Sequence, residues 1–223
     1  MEKTRAPDLP AGGPQRWKFR KYSVWERPTP FGRRFEVRSP DGSLVLFCKS
    51  RRSDPRLVFF TDESESAQIF RFEPKPLRHY QRAFEVVDAF TDRVFGQLRK
   101  KVYGPLKKEE WFILGPEGET LGLVSETAPR PNIVTRFLPV TQFWKRPWAL
   151  TWGQTIAGTI QPRRSLMGER VDVDLGLDMK DEIDRRLVLG VVVAMRRDHH
   201  AGGNHKKPAK DLEDGVQPSR PAS

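Results

Sequence analysis

Cys48 is the chain's one thiol, and of the four histidines three (His199, His200 and His205) fall together near the C-terminus. That leaves Cys48 and His79 as the one conceivable nucleophile and base pair. Cys48 ends the apolar run Leu44-Val45-Leu46-Phe47, where a lone thiol ordinarily serves as a small buried hydrophobe. No Gly-rich phosphate loop, HExxH or GxSxG pattern accompanies it. One cysteine also excludes an intramolecular disulfide or a four-thiolate metal site built from this chain alone, and it suits a reducing compartment. The residues therefore predict a non-enzyme without a cofactor.

The charged residues are more suggestive. Lys49, Arg51 and Arg52, then Arg99, Lys100 and Lys101, then Arg163 and Arg164, each follow the second strand of a hairpin-like segment. If those hairpins are equivalent units of one barrel, the clusters share a rim. A cationic rim suits phosphate groups, each basic residue near an anionic membrane contributing about 1 kcal/mol. Ser125 and Glu126 break the pattern at another hairpin, and solvated strand ends are the plainer reading. Around Pro147, the segment Trp144, Lys145, Arg146 and Trp148 interleaves rings with cations, as a lipid headgroup layer favours; alternatively the rings cap a core and only the cations are wet. Asp172, Asp174, Asp178, Asp181 and Glu182 form an acidic segment. Counted from Asp172, position five is Gly176 and position twelve is Ile183, which cannot ligate, so this is no regular calcium loop. Asp172, Asp174 and Asp178 are weak calcium candidates beside the plainer reading of strand-end and helix-start charge.

These groups need elements to hold them. Apolar alternating runs flank turns rich in Gly, Asp or Pro, which is the hairpin signature. Phe35 to Arg38 and Leu44 to Phe47 enclose Ser39-Pro40-Asp41-Gly42; Trp111 to Leu114 and Thr120 to Val124 enclose Gly115-Pro116-Glu117-Gly118. Ala83 to Val87 pairs with Val94 to Leu98, Trp148 to Trp152 with Ile156 to Ile160, and Leu57 to Phe60 with Gln68 to Phe72. Strands at this spacing predict a sandwich or barrel. One domain over 16–198 is expected, between a disordered basic, Pro-rich arm at 1–15 and a disordered tail at 199–223. The first residues carry charges and prolines and do not read as a secretory signal.

Residues 179–197 break the pattern. The segment opens on Asp181, Glu182 and Asp184 and closes on Arg196 and Arg197, the order a helix dipole favours. From Leu187 to Met195 no polar stripe interrupts it, so a helix there must be buried on every side. Val191, Val192 and Val193 favour a strand, whereas length and polar flanks favour a helix. The apolar run rises about 13 Å as a helix against a hydrocarbon core of about 30 Å, so it is too short to span a bilayer. Its place is the inside of a barrel.

In order, the Phe35 to Gly42 hairpin, Phe84-Glu85-Val86-Val87-Asp88 with Val94-Phe95-Gly96, and Val171-Asp172-Val173-Asp174-Leu175 with the apolar run resemble the tubby C-terminal superfamily, in its phospholipid-scramblase and LURP-one-related branch. The resemblance covers roughly residues 34–197. It implies a mainly β fold, a closed antiparallel barrel of about twelve strands enclosing a central hydrophobic helix. It further implies a non-catalytic, lipid-phosphate or partner-binding module at a membrane surface, cytoplasmic and peripheral at the inner face. Expected partners are anionic phospholipid or phosphoinositide head groups, or a protein. The scramblases' cysteine-rich segment has no counterpart. Phospholipid scrambling is one alternative. Nucleic-acid binding by a basic β-barrel is another: the net charge is +11, although the motifs of common RNA-binding folds are missing.

Overall fold

The computed structural model describes residues 14–77, 80, 82–102, 109–127, 147–165, 168–178 and 181–201. The arm and the tail lie outside these, apart from Pro14, Gln15 and the helix end. A short 3-10 turn, Pro14–Trp17, leads into β1 (Lys21–Thr29) and β2 (Gly32–Arg38). There follow β3 (Leu44–Arg51), β4 (Leu57–Phe60), β5 (Gln68–Pro74), β6 (Arg82–Asp88) and β7 (Val94–Val102). Then come β8 (Glu109–Leu114), β9 (Thr120–Glu126), β10 (Trp148–Trp152), β11 (Thr155–Ser165), β12 (Gly168–Asp174) and the helix α1 (Arg185–Ala201).

Each strand pairs antiparallel with its neighbours in sequence, and β12 pairs with β1, so the sheet closes on itself. Closure leaves no open edge to recruit another chain. Register shifts occur near the C-terminal ends of β2, β4, β6, β8 and β10, at Val37/Arg38, Phe59/Phe60, Val86/Val87, Ile113/Leu114 and Leu150/Thr151. One irregularity per hairpin, always at the same end, adds the local twist a curling sheet needs. The turns that follow are short for a sequence reason. At Gly115-Pro116-Glu117-Gly118, proline presets the first turn residue and Gly118 takes φ +91°, which a side chain rarely tolerates.

Meander topology sorts the connections into two rims. The even-to-odd turns 39–43, 61–67, 89–93, 115–119 and 153–154 hold Asp41, Asp62, Glu63, Glu65, Asp92, Glu117 and Glu119 against Arg93, so this rim is predominantly acidic. Arg16, Lys18 and Arg20, entering β1, offset it locally. The odd-to-even connections, and the ends of β3, β7 and β11, form the opposite rim.

The helix occupies residues 185–201, not 179–197. Short carboxylates cap better than they propagate a helix. Asp178 accepts the amides of Glu182 at 3.2 Å and Ile183 at 3.4 Å, Asp181 sits at φ +56°, and Asp184 caps the amide of Arg186 at 2.9 Å. The acids expected in the first turn therefore build the approach to it. The strand alternative for the valines does not occur: tertiary packing overrides β-propensity. Leu187 to Met195 are all buried, in the same apolar cluster as Phe35, Phe72, Leu98 and Val171 from the strands. Gly190 lies so close to Phe72 of β5 that a Cβ there would stand 2.3 Å from the ring, and Leu187 packs on Gly96 of β7. At the acidic rim Arg186 lies 4.2 Å above the Phe95 ring and 3.8 Å from Asp88.

Candidate functional site

The three cation clusters foreseen in the sequence belong to β3, β7 and β11, all odd strands, and so end towards one rim. The register treats their members differently. Lys49 stands on the outer wall, 3.1 Å from Glu65. Arg51 and Arg52 are exposed at the rim, and the Arg52 amide donates to the Phe31 carbonyl at 3.2 Å. Phe31, at the tip of the β1–β2 turn, is 82% exposed. An unsheltered ring therefore stands beside two guanidinium-bearing residues.

The helix end holds this corner in place. Arg197 donates to the carbonyls of Asp54, Pro55 (2.6 Å) and Arg56 (3.1 Å), fixing the β3–β4 turn. Burial lowers the Arg197 pKa from its ordinary value, yet a guanidinium stays charged. Asp198 accepts from Arg82 at 2.9 Å and pairs with Lys100, which also lies 2.8 Å from Glu109. Burial would raise the Asp198 pKa, but the bonds from Lys100 and Arg82 prevail and hold it below the usual range. Lys100 is itself buried and paired with Asp198 and Glu109, so its charge is not offered at the surface. Arg196 pairs with Glu26 of β1 and Glu169 of β12.

Of the remaining foreseen residues, Arg99 lies 5.3 Å above the Tyr80 ring and donates to Gln97 at 2.9 Å. Lys101 faces Glu110 in the β7–β8 register. Arg163 is exposed, and the Arg164 side chain lies outside the described residues. Trp144, Lys145 and Arg146 lie outside them too; Trp148 starts β10 and packs half-buried against the core. The Thr127 hydroxyl and amide donate to the Pro147 carbonyl at 2.9 and 3.2 Å, so the β9–β10 connection leaves from and returns to the basic rim. Asp172 and Asp174 face outward on β12, and Asp178 is buried at the helix approach. Among the described residues no three His, Cys, Asp or Glu side chains converge. His79 also lies outside the described residues; Cys48 is buried in the core, which pushes its thiol up to about 12.

The structure also assembles a site that no local motif announces. Lys21, Trp25 and Arg27 of β1, Arg38 of β2, and Arg170 of β12 join Arg163, Asp172 and Asp174 around a groove of about 700 Å³ on the outer wall. These residues come from the first two and the last two strands of the barrel, and only the β1–β12 closure unites them. The period-2 alternation of charge on one face of each strand was the available signal.

Neither protein-family models, nor curated proteins, nor solved structures give a match to this chain. Among the described residues no helix is long and apolar enough to cross a membrane.

Proposed function

We propose that the protein is a non-catalytic peripheral module that docks its basic rim on anionic phospholipid, with α1 lodged along the barrel axis as in tubby- and scramblase-like folds. The observation that carries the reading is Phe31, 82% exposed and bonded through its carbonyl to Arg52 beside Arg51, at the rim opposite the acidic turns. An aromatic tip enters the headgroup layer while the guanidinium groups meet lipid phosphates. The axial helix is supported by burial of every residue from Leu187 to Met195. It is supported too by the reach of Arg196, Arg197 and Asp198 to β1, β12, the β3–β4 turn, β6 and β7. A cytoplasmic site at the inner membrane face is the corresponding location, because anionic lipid concentrates there.

Cosedimentation with phosphatidylcholine vesicles, with and without phosphatidylserine, tests the docking. Binding should require phosphatidylserine, fall with salt, and weaken at least about tenfold in Arg51→Glu/Arg52→Glu, since each cation contributes about 1 kcal/mol. Phe31→Ser should weaken it further. Equal partition to neutral and anionic vesicles would remove the reading. Affinity for nucleic acid exceeding that for lipid, with a steep salt dependence, would replace it.

A further inference from the structure

We propose that the outer-wall groove over β1 is a binding site for a small phosphate ester, separate from the basic rim. From Lys21 to Arg27 the groove follows β1 for about 20 Å. Its volume of about 700 Å³ is in the range of small-molecule sites. The β11–β12–β1 register sets Arg163 opposite Arg170 and Arg170 opposite Trp25. The neighbouring row on the same face is Gln161, Asp172, Ser23 and Arg38.

Like charges directly opposite each other destabilise a ladder. Here two guanidinium groups share one carboxylate: Arg170 Nε donates to Asp172 Oδ1 at 2.6 Å, and Arg163 Nε lies 3.4 Å from Asp172 Oδ2. The other wall repeats the shortage. Glu36 is taken by Arg34 and by Arg38, whose Nε and Nη2 donate at 3.1 and 2.8 Å, while Arg27 reaches it only at 3.9 Å. Arg170 lies 5.2 Å above the Trp25 ring, which fixes the guanidinium without neutralising it. Among the described residues, Arg27, Arg163 and Arg170 thus lack a full set of countercharges at one end of the groove.

A phosphate dianion supplies what is missing, because guanidinium forks bind it by two parallel hydrogen bonds. Towards the acidic rim the lining becomes Ser23, Thr159, Gln161 and Asp174 with Lys21 and Arg38, whose charges Asp174 and Glu36 already answer; the polar groups suit the hydroxyls of the ester's body and not a bare acyl chain. The same phosphate chemistry is found in a soluble metabolite and in a lipid head group.

Two arms separate those sources. Titration calorimetry of the full chain with glycerol 3-phosphate, against glycerol at matched ionic strength, examines the soluble ester; flotation with phosphatidic-acid vesicles examines the head group. Saturable binding in either arm should weaken about tenfold in Arg163→Gln and in Arg170→Gln, and persist in Arg51→Gln. Circular dichroism melting checks the fold of each variant. Arg163, the more exposed of the pair, carries the test if the Arg170 variant does not fold. Groove-dependent binding to vesicles alone assigns the lipid source, and to glycerol 3-phosphate alone the soluble one. Absence of groove-dependent binding in both arms overturns the proposal, whatever Arg51 and Arg52 do at the rim.

Discussion

Gly190→Ala should destabilise the protein, although in most helices the same change stabilises. The added Cβ would stand 2.3 Å from Phe72 Cζ and 3.0 and 3.2 Å from the Cε atoms. Carbon atoms in ordinary contact keep about 3.5–4.0 Å apart, so the ring must recede by more than about 1 Å. It has no room to do so: Phe72 is fully buried, with the rings of Phe59 at 5.0 Å and of Phe70 and Phe84 at 5.9 Å. Overpacking of this kind costs about 1–3 kcal/mol, against about 1 kcal/mol gained in helix propensity. The expected net loss is up to about 2 kcal/mol, read as a lower urea midpoint at unchanged slope. Phe72→Leu costs stability alone by opening a cavity, yet in the double variant it should relieve the clash, so the two costs should sum to more than the double variant loses. A Gly190→Ala protein as stable as the wild type, or more so, would mean that α1 is not wedged against β5, and the proposed axial position would fail with it.

Val192→Asp should abolish soluble folding by leaving an unpaired charge in the core, and a soluble, cooperatively melting variant would reject that. Burial would raise the Glu36 pKa, but the hydrogen bonds from Arg38 and Arg34 outweigh it and hold the carboxyl below its usual range, as Lys100 and Arg82 do for Asp198. A depressed carboxylate contributes stability that is fully present above the unfolded-state value, about 4, and is lost as pH falls through the folded one. Urea midpoints should therefore decline below about pH 4, less steeply in Glu36→Gln; an unchanged slope in that variant would count against the Arg34–Glu36–Arg38 triad. Cys48 should resist a thiol-specific disulfide reagent at pH 8 until the protein unfolds, because burial leaves almost no thiolate; rapid labelling of the native protein would contradict this.

The hairpins were legible because their turns are chemically explicit: Pro40-Asp41-Gly42 and Pro116-Glu117-Gly118 allow little else. The apolar run of α1 was legible because nothing polar interrupts it, whereas its start was not, since a carboxylate that caps and one that begins a helix look alike in sequence. The cation clusters show the same limit. Lys49 and Lys100 each follow a strand core, yet one stands on the wall and the other is buried between Glu109 and Asp198. The side of the sheet on which each falls depends on register, which side-chain type does not disclose. The groove was hidden for a topological reason: Trp25 and Arg170 become neighbours only when β12 closes on β1.

Charge is segregated along the barrel in a way that joins these features. Asp184 caps the amino end of α1 at the acidic rim, where the helix dipole is positive, and Arg196 and Arg197 close its carboxyl end at the basic rim. Asp41, Asp62, Glu63, Glu65, Glu117 and Glu119 would be repelled by an anionic bilayer that attracts Arg51 and Arg52, so the proposed docking is end-on. End-on docking makes β1 rise away from the membrane, tilted from the normal as strands of a closed barrel are. The groove then opens sideways, its Arg27, Arg163 and Arg170 end nearest the lipid and its Lys21 and Asp174 end farthest away. A phosphate ester reaching the cationic end from the surface would meet the hydroxyl-binding end only by extending away from the bilayer. That geometry favours a soluble ester over a bare lipid phosphate, so the calorimetric arm with glycerol 3-phosphate, more than flotation with phosphatidic-acid vesicles, is the one expected to respond to Arg163→Gln.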